Sequence, residues 1–315
     1  MVAAARPLRQ RSWRGHRLNG HLTFQLAAAI CRPMPRRILY ALAGRLVMPL
    51  AAACLGEARR AVESNLSVLF PGSGAKKLRR LALETFRQFG LGFVDLLEVS
   101  EGEGSLASVT ARLEEQGRSG ELRSIGAEHG AILVSPHLGN WELGAAALSA
   151  EGLNVSLVAL AEQDPVVDEY RRAARRRAGV ETIPVGTSFD SFLRVRRALA
   201  DGRMVAMLCD RNFDEDRCSV ELLGHAAEFL KTPALLSAVS RAPMLPVAFV
   251  RLPDGRYRIL MGEPVQVGLD GSEQDLARSM NQVARSFGSF IGSFPTQWYN
   301  FYPYWPENRL LSPRA

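Results

Sequence analysis

The sequence predicts an α/β fold: a largely parallel sheet with helices on both faces, preceded by membrane-associated N-terminal helices. Three observations predict it. The stretch AILVSPHLGNWELGAAALSA, residues 131–150, reads as strand, tight loop and helix. From residue 153 to residue 209 short apolar runs alternate with amphipathic segments, the pattern of successive βαβ units. Residues 1–56 are of another kind, a basic lead followed by two apolar runs.

Composition sets the outer limits. The chain has 315 residues, 47% hydrophobic and 23% charged, which suits one large α/β domain with a sizeable core. Its four cysteines, Cys31, Cys54, Cys209 and Cys218, show no metal-ligand spacing and read as thiols in a reducing compartment. A net charge of +7 suits an anionic partner such as a membrane surface, an acidic carrier or a phosphorylated lipid. Basic and aromatic residues are not interleaved as in nucleic-acid modules, so no nucleic-acid partner is expected.

The basic lead consists of Arg6, Arg9, Arg11, Arg14 and Arg17, followed by LTFQLAAAICRP and RRILYALAGRLVMPLAAACLG. Neither apolar run is a clean span, since a bilayer crossing takes ~20 mostly apolar residues. Arg45 interrupts the second run and Pro49 is expected to kink it. Residues 38–55 either tilt across with Arg45 near an interface or lie in the headgroup plane, with Arg36 and Arg37 on anionic lipid. In both arrangements the basic lead stays cytoplasmic. Residues 57–69 form a helix stopped by Phe70, Pro71 and Gly72. Residues 75–97 form a longer amphipathic one, with Leu78, Leu81, Leu83, Phe86, Phe89, Phe93 and Leu96 on its apolar face.

In the central stretch the apolar strand ends at Pro136, and His137, Leu138, Gly139 and Asn140 make the loop. Asn140 caps a helix whose first turn carries Glu142. A neutral imidazole is a useful general base when an acceptor on its far nitrogen fixes the tautomer. On one continuous helix, residues five apart point ~140° away from each other. The loop allows Glu142 to fold back onto the His137 ring, making it a candidate partner. Backbone N–H groups near Gly139 and Asn140, at the helix N-terminus, are candidates for stabilising an oxyanion.

Residues 153–160 then read as a strand and 164–178 as a strongly basic helix, on which Arg171 and Arg175 share a face at i, i+4 and are candidates for phosphate contacts. Residues 180–185 are a strand, 188–200 a helix, and 204–209 a strand ending in Asp210 and Arg211. Ligands of such sheets bind at the carboxyl ends of the strands, where both His137 and Asp210 fall. Residues 246–252 and 257–261 form a hairpin around Pro253, Asp254 and Gly255. Residues 272–294 are a long helix. The aromatic run PTQWYNFYPYWPEN, residues 295–308, follows; it either packs on the N-terminal helices or forms an interfacial belt, and a short tail begins at residue 309.

HLGNWE resembles the H-x-x-x-x-(D/E) signature of glycerolipid-type acyltransferases. Within VSPHLGNWELG it is similar to the branch that adds secondary acyl chains to lipid A, a branch that includes the phosphatidylinositol mannoside acyltransferases. ARRAVESNLSVLFPG, ETFRQFGLGFVDLLE, VAMLCDRNF, KTPALLSAVSRAPML and the Gln and Trp after Pro295 extend the likeness over roughly residues 59–305. Leu223 before Gly224, in place of an aromatic, and Lys231 at a helix entry depart from the family pattern.

The resemblance implies a glycerolipid acyltransferase-like mixed sheet in residues 57–308 and work at the cytoplasmic face of the inner membrane. It implies a donor thioester on acyl carrier protein or coenzyme A, with no cofactor. The acceptor would be a hydroxyl of an anionic membrane glycolipid, a lipid A precursor first and a phosphatidylinositol mannoside or other lysolipid as the alternative. Arg171, Arg175 and Arg211 would then meet acidic substrate groups. In the mannoside enzymes an acidic residue at the place of Asp210 is expected to support the histidine, so Glu142 and Asp210 both stand as partners of His137. No metal is expected, because neither H-E-x-x-H nor a Cys/His cluster occurs, and the absence of G-x-S-x-G disfavours a serine hydrolase. Two other classes remain: a non-catalytic protein binding anionic lipid, and a thioester hydrolase.

Overall fold

The computed structural model describes residues 34–100, 111–114, 118–162, 164–185, 190–211, 216–268 and 271–305. The basic lead, the first apolar run with Cys31, and the C-terminal tail lie outside these.

The chain begins with a helix, α1 (Arg36–Cys54), interrupted by a π-helical turn at Ala43–Val47. Pro49 has no N–H to give the carbonyl of Arg45, and the wide turn falls just where that bond is missing. By length and composition α1 could cross a membrane. One side of it packs on α3 (Ala75–Ser100), where Met48 fills the place a side chain would take at Gly90: a Cβ there would lie 2.3 Å from Met48 Cγ. Its other side leaves Ile38, Leu42, Leu46, Val47 and Leu50 exposed. α2 (Gly56–Leu69) joins α1 and α3 in a small separate core around Ala52, Val62, Leu66 and Phe86.

Asp95, on α3, is fully buried and collects this region. It accepts hydrogen bonds from Arg36 (2.7 Å), Arg112 (2.8 Å), the Tyr257 hydroxyl (2.6 Å) and Tyr40. Arg251 lies 3.6 Å away. A buried carboxylate is tolerable only with such partners, and here they come from α1, the 111–114 segment and the sheet.

After α4 (Arg118–Ile125) the sequence alternates as expected: β1 (Ala131–Ser135), α5 (Trp141–Ala150), β2 (Val155–Leu160), α6 (Pro165–Arg177), β3 (Glu181–Val185), α7 (Asp190–Ala200) and β4 (Met204–Leu208). Asn140 and Asp164 cap α5 and α6 through their side chains. β5 (Cys218–Leu222) and β6 (His225–Phe229) pair as a separate antiparallel hairpin. α8 (Thr232–Ser240), β7 (Met244–Arg251), β8 (Tyr257–Met261) and α9 (Glu273–Ser293) complete the domain.

The main sheet has six strands in the order β3-β2-β4-β1-β7-β8, all parallel except the last pair, so the sheet is mixed. β1 lies inside it, and its side chains alternate between two cores. Ile132 and Val134 face the core built with α7, α8, α9 and the β5–β6 hairpin, whereas Ala131 and Leu133 face the one built with α4 and α5. A strand apolar at its first four positions and buried throughout is what helices on both faces require.

Candidate active site

The geometry of the site follows from strand register. β1 and β4 run in parallel with Ser135 opposite Leu208, and the Cys209 amide donates to Ser135 O at 3.1 Å. Two residues beyond each strand end, His137 and Asp210 therefore meet at the carboxyl edge of the sheet. Asp210 Oδ1 lies 2.5 Å from His137 Nδ1, and Oδ2 accepts the His137 main-chain N–H at 3.0 Å.

The rest of the Asp210 shell comes from the chain after α9. Trp298 Nε1 donates to Oδ2 at 3.0 Å, Asn300 Nδ2 stands 3.5 Å from the same oxygen, and the Tyr304 hydroxyl donates to the Asp210 carbonyl at 2.6 Å. Burial alone would raise the pKa of the Asp210 carboxyl. The His137 ring, the Arg211 cation and the N–H donors outweigh it, holding the group at about 2. The His137 ring is pushed the other way: burial, then the Arg211 charge, lower its pKa more than Asp210 raises it. At neutral pH the pair is thus a carboxylate and a neutral imidazole. An ionised carboxylate only accepts, so Nδ1 carries the proton and Nε2 keeps its lone pair. The His137 side chain is 14% exposed, and the His137 and Trp141 rings meet edge to face at 5.4 Å between centroids.

Of the two carboxylates proposed from sequence, it is therefore Asp210 that holds His137. Glu142 faces the opposite way, to α6, where Arg175 grips it through Nε (2.9 Å) and Nη2. The loop does release the chain direction between His137 and Glu142, but the cap at Asn140 starts α5 at once and the first helical turn points Glu142 away from the sheet edge. Both members of the pair are about 10% exposed, and burial works against the Arg175 cation until Glu142 outweighs it. Arg175 is thereby committed to Glu142 rather than open to phosphate. Arg171 pairs with Glu162 at 2.9 Å on the more exposed side of α6. Glu142, Arg171 and Arg175 border a cavity between α3, α5 and α6 whose other walls include Phe93, Leu96, Leu97 and Ala146.

Gly139 and Asn140 also differ from expectation. Their main-chain N–H groups are already used, Gly139 N–H on Gln297 O (2.9 Å) and Asn140 N–H on Phe249 O (2.7 Å), so neither is open to an oxyanion. These bonds draw the loop onto Gln297 and β7. Gly139 has φ +69°, and a Cβ would stand 2.1 Å from the Phe249 carbonyl oxygen, which only glycine avoids. The Asn140 side chain, besides capping α5, donates to Gly92 O of α3 at 2.9 Å. Arg211 is spent on architecture: Nε donates to Asn300 Oδ1, Nη2 donates to Tyr299 O, both at 3.0 Å, and the guanidinium stacks over Tyr302.

The aromatic run after α9 does pack on the N-terminal helices, as one of its two expected arrangements had it, and it also closes the site, which the sequence did not suggest. Residues 295–305 form a strap. Gln297 clamps Arg251 of β7 through both amide atoms, the Tyr299 N–H donates to His137 O (2.7 Å), and Asn65 of α2 holds Asn300 O, Tyr302 O and Tyr304 N–H at 2.9 Å each. The available signal was polar residues, Gln297, Asn300 and Asn65, set among aromatic and apolar ones, where a buried amide needs partners. Among the described residues, no group of three His, Cys, Asp or Glu side chains is placed to share a metal ion.

Residues 18–307 match the family model of the bacterial lipid A biosynthesis acyltransferases. The chain is 27% identical over 185 residues to the phosphatidylinositol mannoside acyltransferase of Mycolicibacterium smegmatis, covering 58% of this chain and 59% of that protein. It is 26% identical over 189 residues to the protein of the same name from Mycobacterium tuberculosis, covering 59% of this chain and 58% of the other. The aligned stretch thus spans under two thirds of each relative, whereas the family model runs through the N-terminal helices, the His137 loop, Asp210 and the strap. By that match this protein belongs to the bacterial lipid A biosynthesis acyltransferase family.

Proposed function

We propose that the protein is an acyltransferase that moves a fatty acyl chain from a thioester donor, carried on acyl carrier protein or coenzyme A, to a hydroxyl of a membrane glycolipid. The observation that carries this reading is the His137–Asp210 pair, with Nδ1 bound to a buried carboxylate and Nε2 left as the base. His137 Nε2 takes the proton of the acceptor hydroxyl as its oxygen attacks the thioester carbonyl. The tetrahedral intermediate collapses by breaking the C–S bond, and the imidazolium returns the proton to the departing thiolate. Asp210 fixes the tautomer and stabilises the imidazolium. No cofactor takes part in these steps.

The apolar cavity beside α5 supports a recess for an acyl tail, and Arg171, which borders it and is partly exposed beside Glu162, is the cation there for an acidic headgroup. The exposed face of α1, packed on the catalytic domain along its other side, supports an enzyme seated on the bilayer surface, at the cytoplasmic face of the inner membrane where acyl thioesters are at hand. Family membership favours a lipid A precursor as acceptor; the names of the two mycobacterial relatives favour a phosphatidylinositol mannoside as the second reading. The test is incubation of the membrane-bound protein with labelled acyl thioesters and purified lipids of both kinds, read by mass spectrometry. One lipid gaining one acyl chain supports the proposal and names the acceptor. Release of free fatty acid with every lipid left unchanged would mark a thioester hydrolase.

A further inference from the structure

We propose that Trp298 is a positioning residue for this reaction: its indole N–H anchors the Asp210 carboxylate from outside the His–Asp pair, and so sets the orientation of the His137 ring. The inference rests on the reading of His137 as the base. Asp210 accepts two hydrogen bonds from His137 itself, from Nδ1 and from the main-chain N–H. Those bonds tie the carboxylate to the histidine alone, while strand register and the strap hold the main chain of both. The one further donor within 3.0 Å of the carboxylate, among the described residues, is Trp298 Nε1; Asn300 Nδ2, at 3.5 Å, is too far to hold it firmly.

The indole is itself fixed. Trp298 is 4% exposed, and the edge of the Tyr304 ring meets it at 4.7 Å and Trp305 at 5.5 Å. The residue before it is clamped to β7 through Gln297, and the residues after it are clamped to α2 through Asn65. An aromatic with a polar tip, held on both sides by main-chain clamps, gives the carboxylate one angle rather than two.

The charged and titratable groups around the pair are Arg211 and Cys209 from the end of β4, and Tyr302 and Tyr304 from the strap; α5 contributes the uncharged ring of Trp141. Burial pushes the Cys209 thiol and the Tyr304 hydroxyl well up and holds Tyr302 at about 12, so none of these three changes charge where an imidazole with a lowered pKa titrates. Removing a donor from the carboxylate makes it more basic, which strengthens its hold on the imidazolium. The His137 titration then moves to higher pH, while a loosened carboxylate lowers turnover.

The experiment follows the His137 ring by NMR titration of the full-length protein in nanodiscs, assigned by difference from His137→Gln, in wild type, Trp298→Phe and Trp305→Phe. Acyl transfer is measured alongside. For Trp298→Phe we expect an upward shift of about one pH unit, and kcat lower by about tenfold with KM unchanged, the size of one hydrogen bond to a charged group. Trp305→Phe removes an equal volume from the neighbouring ring and is expected to leave the titration in place. Should Trp298→Phe fail to fold, replacing the Trp298 indole by the isosteric benzothiophene removes the N–H alone. An unmoved His137 titration with unchanged kcat overturns the proposal, as does an equal shift in Trp305→Phe, which would make the effect one of packing. Because the titration needs no substrate, it stands or falls separately from the acyl-transfer reading, which a fully active His137→Gln protein would contradict.

Discussion

Asp210 Oδ1 and His137 Nδ1 lie 2.5 Å apart across 73 residues of chain, joined by the register of β1 against β4 rather than by any local motif. Glu142, five residues from the histidine, belongs to a different structure, the buried pair with Arg175 that fastens α5 to α6. The two carboxylates should accordingly fail in different ways when removed.

Asp210→Asn is expected to keep the fold and lower kcat by about 10³-fold or more, because an amide can present its N–H to Nδ1 and select the wrong tautomer. Glu142→Ala is expected to cost about 3 kcal/mol of stability by leaving Arg175 buried without a partner, with a much smaller loss of activity per folded molecule. Replacing both members, Glu142→Leu with Arg175→Met, should restore most of that stability. Chemical denaturation and acyl-transfer rates on the same preparations distinguish the two roles.

The difference between these carboxylates marks where sequence reading ran out. Alternating apolar and amphipathic segments made the strands and helices legible from residue 131 to residue 208, because a doubly covered strand must be apolar throughout. Register is not written in one strand alone, so in the sequence Glu142 and Asp210 stand equal, and it is Ser135 opposite Leu208 that separates them. Gly139 and Asn140 looked like oxyanion donors because they precede a helix; that the strap and β7 consume their N–H groups depends on residues more than 100 positions away. The β5–β6 hairpin was legible in principle. CSVEL alternates, and Leu223 and Gly224 both take positive φ in its two-residue turn, yet a leucine there gives no turn signal. Asp95 gave no sign at all, since one acid on an amphipathic helix reads as its solvated face.

Asp95→Ala should be among the most destabilising single changes outside the site. It strips the shared carboxylate from Arg36, Arg112 and Arg251 at once, and a loss of about 3–5 kcal/mol is expected. Because Arg36 and Tyr40 tie α1 to that carboxylate, limited proteolysis should cut at Arg37 or Arg45 sooner in the variant than in wild type.

Asn65→Ala tests the strap from its far end. Three main-chain groups lose their partner, so about 1–3 kcal/mol of stability should be lost. Turnover should fall although Asn65 touches neither His137 nor Asp210. Hydrogen exchange should show the 298–304 amides opening faster while the central strands stay protected.

The pH dependence has two separate windows. His137 is neutral in the folded protein down to a pKa below its ordinary 6.5, so the acid limb of kcat/KM should lie below that value. For stability, a His pKa depressed on folding means that the unfolded chain takes up the proton first, so its contribution is complete above pH 6.5 and declines as pH falls toward the folded value. Asp210, ordinarily near 3.8 and held at about 2, contributes stability that is full above 3.8 and is lost between 3.8 and about 2. Equilibrium unfolding against pH should therefore decline in two stages, and His137→Gln should remove the first.

The most direct test of the account is the transfer of a labelled acyl group from its thioester to the acceptor lipid by wild-type protein and by His137→Ala, both in membranes and matched for folded protein. The account predicts that the acceptor gains one acyl chain with wild type, and that His137→Ala binds lipid normally but transfers nothing above background. Transfer by His137→Ala at the wild-type rate would contradict it, and would move the chemistry away from the edge where β1 and β4 bring His137 and Asp210 together.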